Sequence, residues 1–117
     1  KETVVMRSDV ETSIQRTPGQ MYQSVENDRI SNLYNVQIIN KTFKDLPLEI
    51  RIKSHSGEIK FVGEKLMEVK HDSETQAVFF IILPRDVLSG LKTKLKLGIY
   101  SNGKEIDEVE TNFLGPN

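Results

Sequence analysis

The chain has 117 residues, 37% of them hydrophobic and 28% charged, with 16 Lys and Arg against 17 Asp and Glu. That suits one globular domain with a single core, and a net charge of −1 lacks the clustered positive excess that nucleic acid requires of a partner. Cysteine is absent, which excludes disulfides, thiolate metal sites, iron–sulfur ligation and cysteine nucleophiles from these residues.

The chain starts at Lys1 without Met and shows no signal-peptide pattern, so a fragment or a processed form of a larger protein is expected. Alternation of apolar and polar residues, the period of a half-buried strand, runs through most of it. In chain order, strands are predicted near 3–7, 10–15, 33–40, 47–53, 58–62, 65–70, 75–83, 93–101 and 104–113. Between them fall turn residues: Asn40-Lys41, Ser56-Gly57, His71-Asp72-Ser73 and Asn102-Gly103. Short strands with turns at this spacing indicate an all-β sandwich or barrel. The polar stretch Arg16–Asn32, with Pro18-Gly19, reads as a crossing between sheets pinned by Met21, Tyr22 and Ile30. Pro84–Gly90 has room for one helical turn.

Ala77–Leu83 breaks the alternation with seven apolar residues in a row. This longest apolar run is far too short to span a bilayer, for which about 18 residues are needed, so no membrane insertion by this chain is expected. A sandwich strand needs only one apolar face, so the second must be covered too. The favoured cover is the chain's own N-terminal segment or a long loop, and the alternative is a partner or a second copy.

The last hairpin predicts its own irregularity. Asn102-Gly103 is a two-residue type I′ turn signal, because both central residues need positive φ. Uninterrupted pairing from that turn would set Leu97 opposite Glu108 and Leu95 opposite Glu110, burying carboxylates at cost. One extra residue at Asp107–Glu108 would instead bring Leu97 to Val109, Leu95 to Thr111 and Lys96 to Glu110.

The search for chemistry is negative. No Gly-x-Ser-x-Gly elbow or Gly-rich phosphate loop occurs, and His55 and His71 are both placed at turns. Met67 and His71 are soft enough ligands for copper, but positions four apart on a strand are about 13 Å apart, so packing is the expected role of Met67. Glu105, Asp107, Glu108 and Glu110 read as a solvated face with cross-strand lysines, and Lys92, Lys94, Lys96 and Lys104 as a partly neutralised basic stripe. Asn40-Lys41-Thr42 satisfies a glycosylation sequon.

Several blocks together carry a family likeness. They are Glu11-Thr12-Ser13-Ile14-Gln15-Arg16 leading to Met21-Tyr22, then Asn27-Asp28-Arg29-Ile30-Ser31-Asn32-Leu33-Tyr34, Ile38-Ile39-Asn40-Lys41-Thr42, and the tail Phe113-Leu114-Gly115-Pro116. With these, the chain resembles, over essentially its whole length, the C-terminal domain of FixG-type cytochrome oxidase accessory proteins. The resemblance implies that residues 1–117 form a single immunoglobulin-like β-sandwich of two antiparallel sheets, with about seven to nine strands. It implies a place after the last transmembrane helix of a membrane-anchored protein, on the periplasmic side of the bacterial inner membrane. The parent proteins bind [4Fe–4S] clusters and support assembly of the cbb3-type oxidase, with a proposed role in copper handling. Their cysteine motifs lie outside this chain, so no catalytic, cofactor-binding or metal-binding residue is expected here, and the implied partners are oxidase assembly proteins. Arg29, Asn32 and Tyr34 are read as organising the start of a strand, with a partner-binding site as the alternative.

Two other functions compete. One is a free-standing or cell-surface immunoglobulin-like module, such as an adhesin or sugar binder. Three Tyr and no Trp make a poor set of sugar platforms. The other is a small enzyme, which the missing chemistry disfavours.

Overall fold

The alternating segments do become strands, and their apolar faces close on one another. The structure, a computed structural model, describes residues 10–19 and 21–116. Ten strands follow in order: β1 (Val10–Arg16), β2 (Gln23–Val25), β3 (Arg29–Asn40), β4 (Leu46–Pro47), β5 (Glu49–Ile52), β6 (Glu58–Val62), β7 (Glu68–Val69), β8 (Glu74–Pro84), β9 (Lys92–Ser101) and β10 (Lys104–Leu114). A 3-10 turn, Arg85–Val87, fills the helical room between β8 and β9. The strand expected near 3–7 lies outside the described residues.

One sheet has the order β1-β3-β8-β6, with β2 also paired to β3, and a second has the order β10-β9-β5. All pairings are antiparallel. Four strands facing three in this order is the constant-type immunoglobulin arrangement. The pair β4-β7 forms a small separate ribbon. Ile30, Tyr34, Val36 and Ile38 from β3 and Phe79, Ile81 and Leu83 from β8 meet Leu95, Leu97 and Ile99 from β9 and Phe113 from β10 in one buried cluster.

Several boundaries differ from expectation for identifiable reasons. The connection Arg16–Asn32 does not cross between sheets. After Arg16 pairs with Tyr34, the chain makes an excursion and rejoins the same edge of β3, with Gln23 against Ser31 and Val25 against Arg29. Asn27 and Asp28, both at positive φ, then turn it into β3. Ile30 and Tyr22 do pin this segment to the core, whereas Met21 is exposed. Pairing over 65–70 shrinks to Glu68–Val69, because only the two-residue β4 faces it.

The final hairpin turns at Asn102 (φ 54°) and Gly103 (φ 79°), as a type I′ turn demands. Its bulge exists but lies earlier than expected: pairing runs from Glu105–Tyr100 to Asp107–Ile99, so Ile106 is the extra residue, and Asp107 and Glu108 pair without interruption. Bulging at Ile106 lets this side chain pack against the core while the Asp107 carboxylate accepts the Glu108 N–H at 2.9 Å. Downstream the expected register is present: Val109 faces Leu97, Glu110 faces Lys96 and Thr111 faces Leu95.

Candidate functional site

Two places stood out in the sequence: the Arg29–Tyr34 block and the doubly apolar strand. In the first, alternation along β3 aims Asn32 and Tyr34 inward. Asn32, 2% exposed, donates from Nδ2 to the Leu114 carbonyl at 2.9 Å and accepts the Leu114 N–H on Oδ1 at 2.8 Å. Tyr34, fully buried, donates its hydroxyl to the Asn112 carbonyl at 2.7 Å and stacks on Phe79 with centroids 6.0 Å apart. Burial pushes the Tyr34 phenol well above its usual range, against the opposing charge of Arg16. Arg29 ties the turn, bonding the Glu26 carbonyl at 2.9 Å and the Glu58 carboxylate at 2.8 Å. Asn32 and Tyr34 spend their polar groups inside the domain, and Arg29 spends its own on neighbouring groups at the surface. The fold-organising reading is the one the geometry supports.

In β8, Phe79, Ile81 and Leu83 face the core, and Val78, Phe80 and Ile82 face outward. Phe80 and Ile82 of this set border a shallow groove of about 300 Å³, completed by Val25, Lys60 and Val62 among others. The long connection thus contributes only a rim, through β2. The N-terminal segment favoured as cover lies outside the described residues.

The remaining candidates resolve into local structure. Asn40, 1% exposed, donates Nδ2 to the Lys44, Val69 and Lys70 carbonyls and accepts the Thr42 N–H and hydroxyl on Oδ1. With its two N–H hydrogens shared among three carbonyls and its oxygen accepting two bonds, this buried amide clamps the loop. His71 directs both its backbone N–H, at 2.9 Å, and its ring Nδ1, at 2.8 Å, to Asp45 Oδ1, and the backbone bond first and the ring second hold the Asp45 carboxyl below its usual range. Ser54 Oγ lies 2.7 Å from His55 Nδ1 and accepts the Lys96 N–H at 3.0 Å, stapling the turn. His55 is half-buried there rather than solvated. Among the described residues no group of three or more His, Asp or Glu is placed to hold a metal ion.

The sequence reading missed a hub on the outer face of the three-stranded sheet. Lys53, just beyond β5, bonds Glu105 at 2.8 Å and Glu108 at 2.6 Å. Those two bonds keep its ammonium protonated well above the usual range. Arg51 lies 4.4 Å over the Tyr100 ring and bonds Glu49 at 2.9 Å. Gly98 beneath them has no room for a side chain, since a Cβ would come within 2.6 Å of Tyr100. The clue was the missing side chain at Gly98 within an otherwise regular strand, flanked by Arg51 and Tyr100 in register.

Comparison with known proteins places this geometry. Residues 3–116 match the family model described as "IG-like fold at C-terminal of FixG, putative oxidoreductase". The crystal structure of a FixG-related protein from Vibrio parahaemolyticus is similar in fold, with a TM-score of 0.68 and 18% identity over 92% of this chain and 97% of that one. No curated protein matches the chain.

Proposed function

Since the chain belongs to the family of immunoglobulin-like domains at the C-terminus of FixG, we propose that it is a non-catalytic docking domain of a membrane-anchored, iron–sulfur-containing protein of the kind that supports cbb3-type oxidase assembly. The family match over residues 3–116 carries this reading. The hydrogen bonding supports it: the Asn32 and Tyr34 side chains are consumed by the domain's own backbone and Arg29 bonds its own turn. The iron–sulfur chemistry belongs to the parent's cysteine motifs, and this chain has no cysteine.

The domain then stands on the periplasmic side of the inner membrane and offers its outer surfaces to assembly partners. Two readouts on the full-length parent test the assignment. Protease added to intact spheroplasts should remove this domain, and deleting it should leave iron bound per chain unchanged. A domain protected from outside protease, or clusters lost with it, would refute the reading.

A further inference from the structure

The two outer faces of the sandwich differ in charge. The three-stranded sheet carries Arg51, Lys96, Glu108 and Glu110 in cross-strand register, and Arg51 and Lys53 are held there in ion pairs. A strand face kept in water is built this way.

The outer face of the larger sheet is not. The outward residues of β3 from Ser31 to Gln37 and of β8 from Gln76 to Ile82 are all uncharged, as are Ser13 and Gln15 beside them on β1. Val78, Phe80 and Ile82 form its apolar stripe. Val62, 48% exposed, pairs with Val78 and extends the stripe onto β6. Depletion of charge around an apolar and aromatic centre is the composition of an interface core.

Charge returns at the borders of this face, and with opposite sign. At one border Glu74 and Glu11 share a cross-strand row through Ile39. Towards the other lie Lys60, opposite Phe80, and Arg29, opposite Pro84. Glu58 is committed to Arg29 at 2.8 Å. Neither Lys60 nor Glu74 has an ion pair among the described residues.

Such a face complements itself. Two copies stacked with their strands antiparallel, about a two-fold axis at Val78, set the Glu74 border of each over the Lys60 and Arg29 border of the other. We infer that the chain forms a two-fold dimer through the outer face of its larger sheet, with the Val78–Ile82 stripe covered by the second copy. From Glu74 to Ile82 the four strands offer a face about 27 Å long and about 19 Å wide, so a pair buries on the order of 1,000 Å². That is the lower end of specific interfaces, and it makes the dimer reversible. The inference concerns the chain itself and is independent of the membrane attachment proposed above.

Sedimentation equilibrium of the 117-residue chain tests it. The wild-type chain should pass from monomer to dimer over about 1–100 µM. Asn35→Lys puts a charge beside the axis, at an exposed position opposite Val78, and should raise the dissociation constant by about tenfold or more. Lys94→Glu, on the charged face of the other sheet, should leave it unchanged. Lys60→Glu faces Glu74 with a like charge and should weaken the dimer by about fivefold, and adding Glu74→Lys should restore it. A chain that stays monomeric throughout, as it would if its own residues before Val10 covered this face, overturns the inference. So does a dimer that Asn35→Lys leaves intact, as pairing along the outer edge of β6 would, or a double variant no tighter than Lys60→Glu alone.

Discussion

Asn32 closes both of its side-chain hydrogen bonds on one residue of the opposite sheet, Leu114, at 2.9 and 2.8 Å. The amide thereby imitates a strand neighbour across the sandwich. Two positions along β3, Tyr34 repeats the stitch at Asn112. Antibody-type domains join their sheets with a disulfide at the core. This chain has no cysteine and uses an amide and a phenol.

Removing the stitch should therefore cost more than removing the surface partner of the same block. Asn32→Ala leaves the Leu114 N–H and carbonyl without their partner, at about 2–4 kcal/mol. Arg29→Ala breaks a half-exposed pair and should cost about 0–1 kcal/mol. Urea unfolding of both variants checks the order, and equal losses would contradict it.

Tyr34→Phe should cost about 1–2 kcal/mol by orphaning the Asn112 carbonyl. The phenol's folded pKa is raised above the unfolded value, so its contribution is complete below about pH 10 and is lost as pH rises through the folded value. Phenolate absorbance should show one of the three tyrosines resisting titration until the fold opens. Three tyrosines ionising together near their usual pH would refute this.

The bulge makes a prediction about register. Deleting Asp107 leaves Ile106 free to face Ile99 and preserves every pair from Glu108 onward, so the variant should fold with Val109 still against Leu97. Inserting Ala between Glu110 and Thr111 instead turns Phe113 to the wet face. That insertion should cost about 3–5 kcal/mol, the range for losing a buried Phe. Amide exchange and cross-strand NOEs distinguish the two.

Gly57 is the tightest backbone approach at the β6 end, where a Cβ would meet the Ile82 carbonyl at 2.7 Å and the Leu83 side chain. Gly57→Ala should destabilise by about 1–3 kcal/mol. Gly63→Ala meets no neighbouring atom and carries only the cost of positive φ, about 1–2 kcal/mol. Thermal unfolding of the pair should separate steric from conformational strain.

In acid, Glu108 should report on Lys53. Its folded pKa is lowered by the Lys53 hydrogen bond first and that residue's charge second. The stabilisation is present above the unfolded value near pH 4 and is lost as pH falls through the folded one. Lys53→Met should flatten the fall of the urea midpoint between about pH 5 and 3. An unchanged acid limb would contradict the pairing.

The sandwich was legible because its signals were local: alternation in β3 and β9, the Asn102-Gly103 turn and the seven-residue apolar run. The downstream register of the last hairpin was legible too, since two leucines had to avoid two carboxylates. The bulge residue was not, because a slip at Ile106 or at Glu108 yields the same later pairs and only the packing of Ile106 chooses. The return of β2 to the edge of β3 depends on positive φ at Asn27 and Asp28, which composition does not dictate. The Lys53 hub joins residues more than 50 positions apart, beyond any periodic pattern.

The docking claim is tested most directly by comparing the proteins that co-purify from membranes with the full-length parent and with a form lacking this domain. Specific partners should disappear from the shortened form while its bound iron is retained. An unchanged partner set would contradict the docking role.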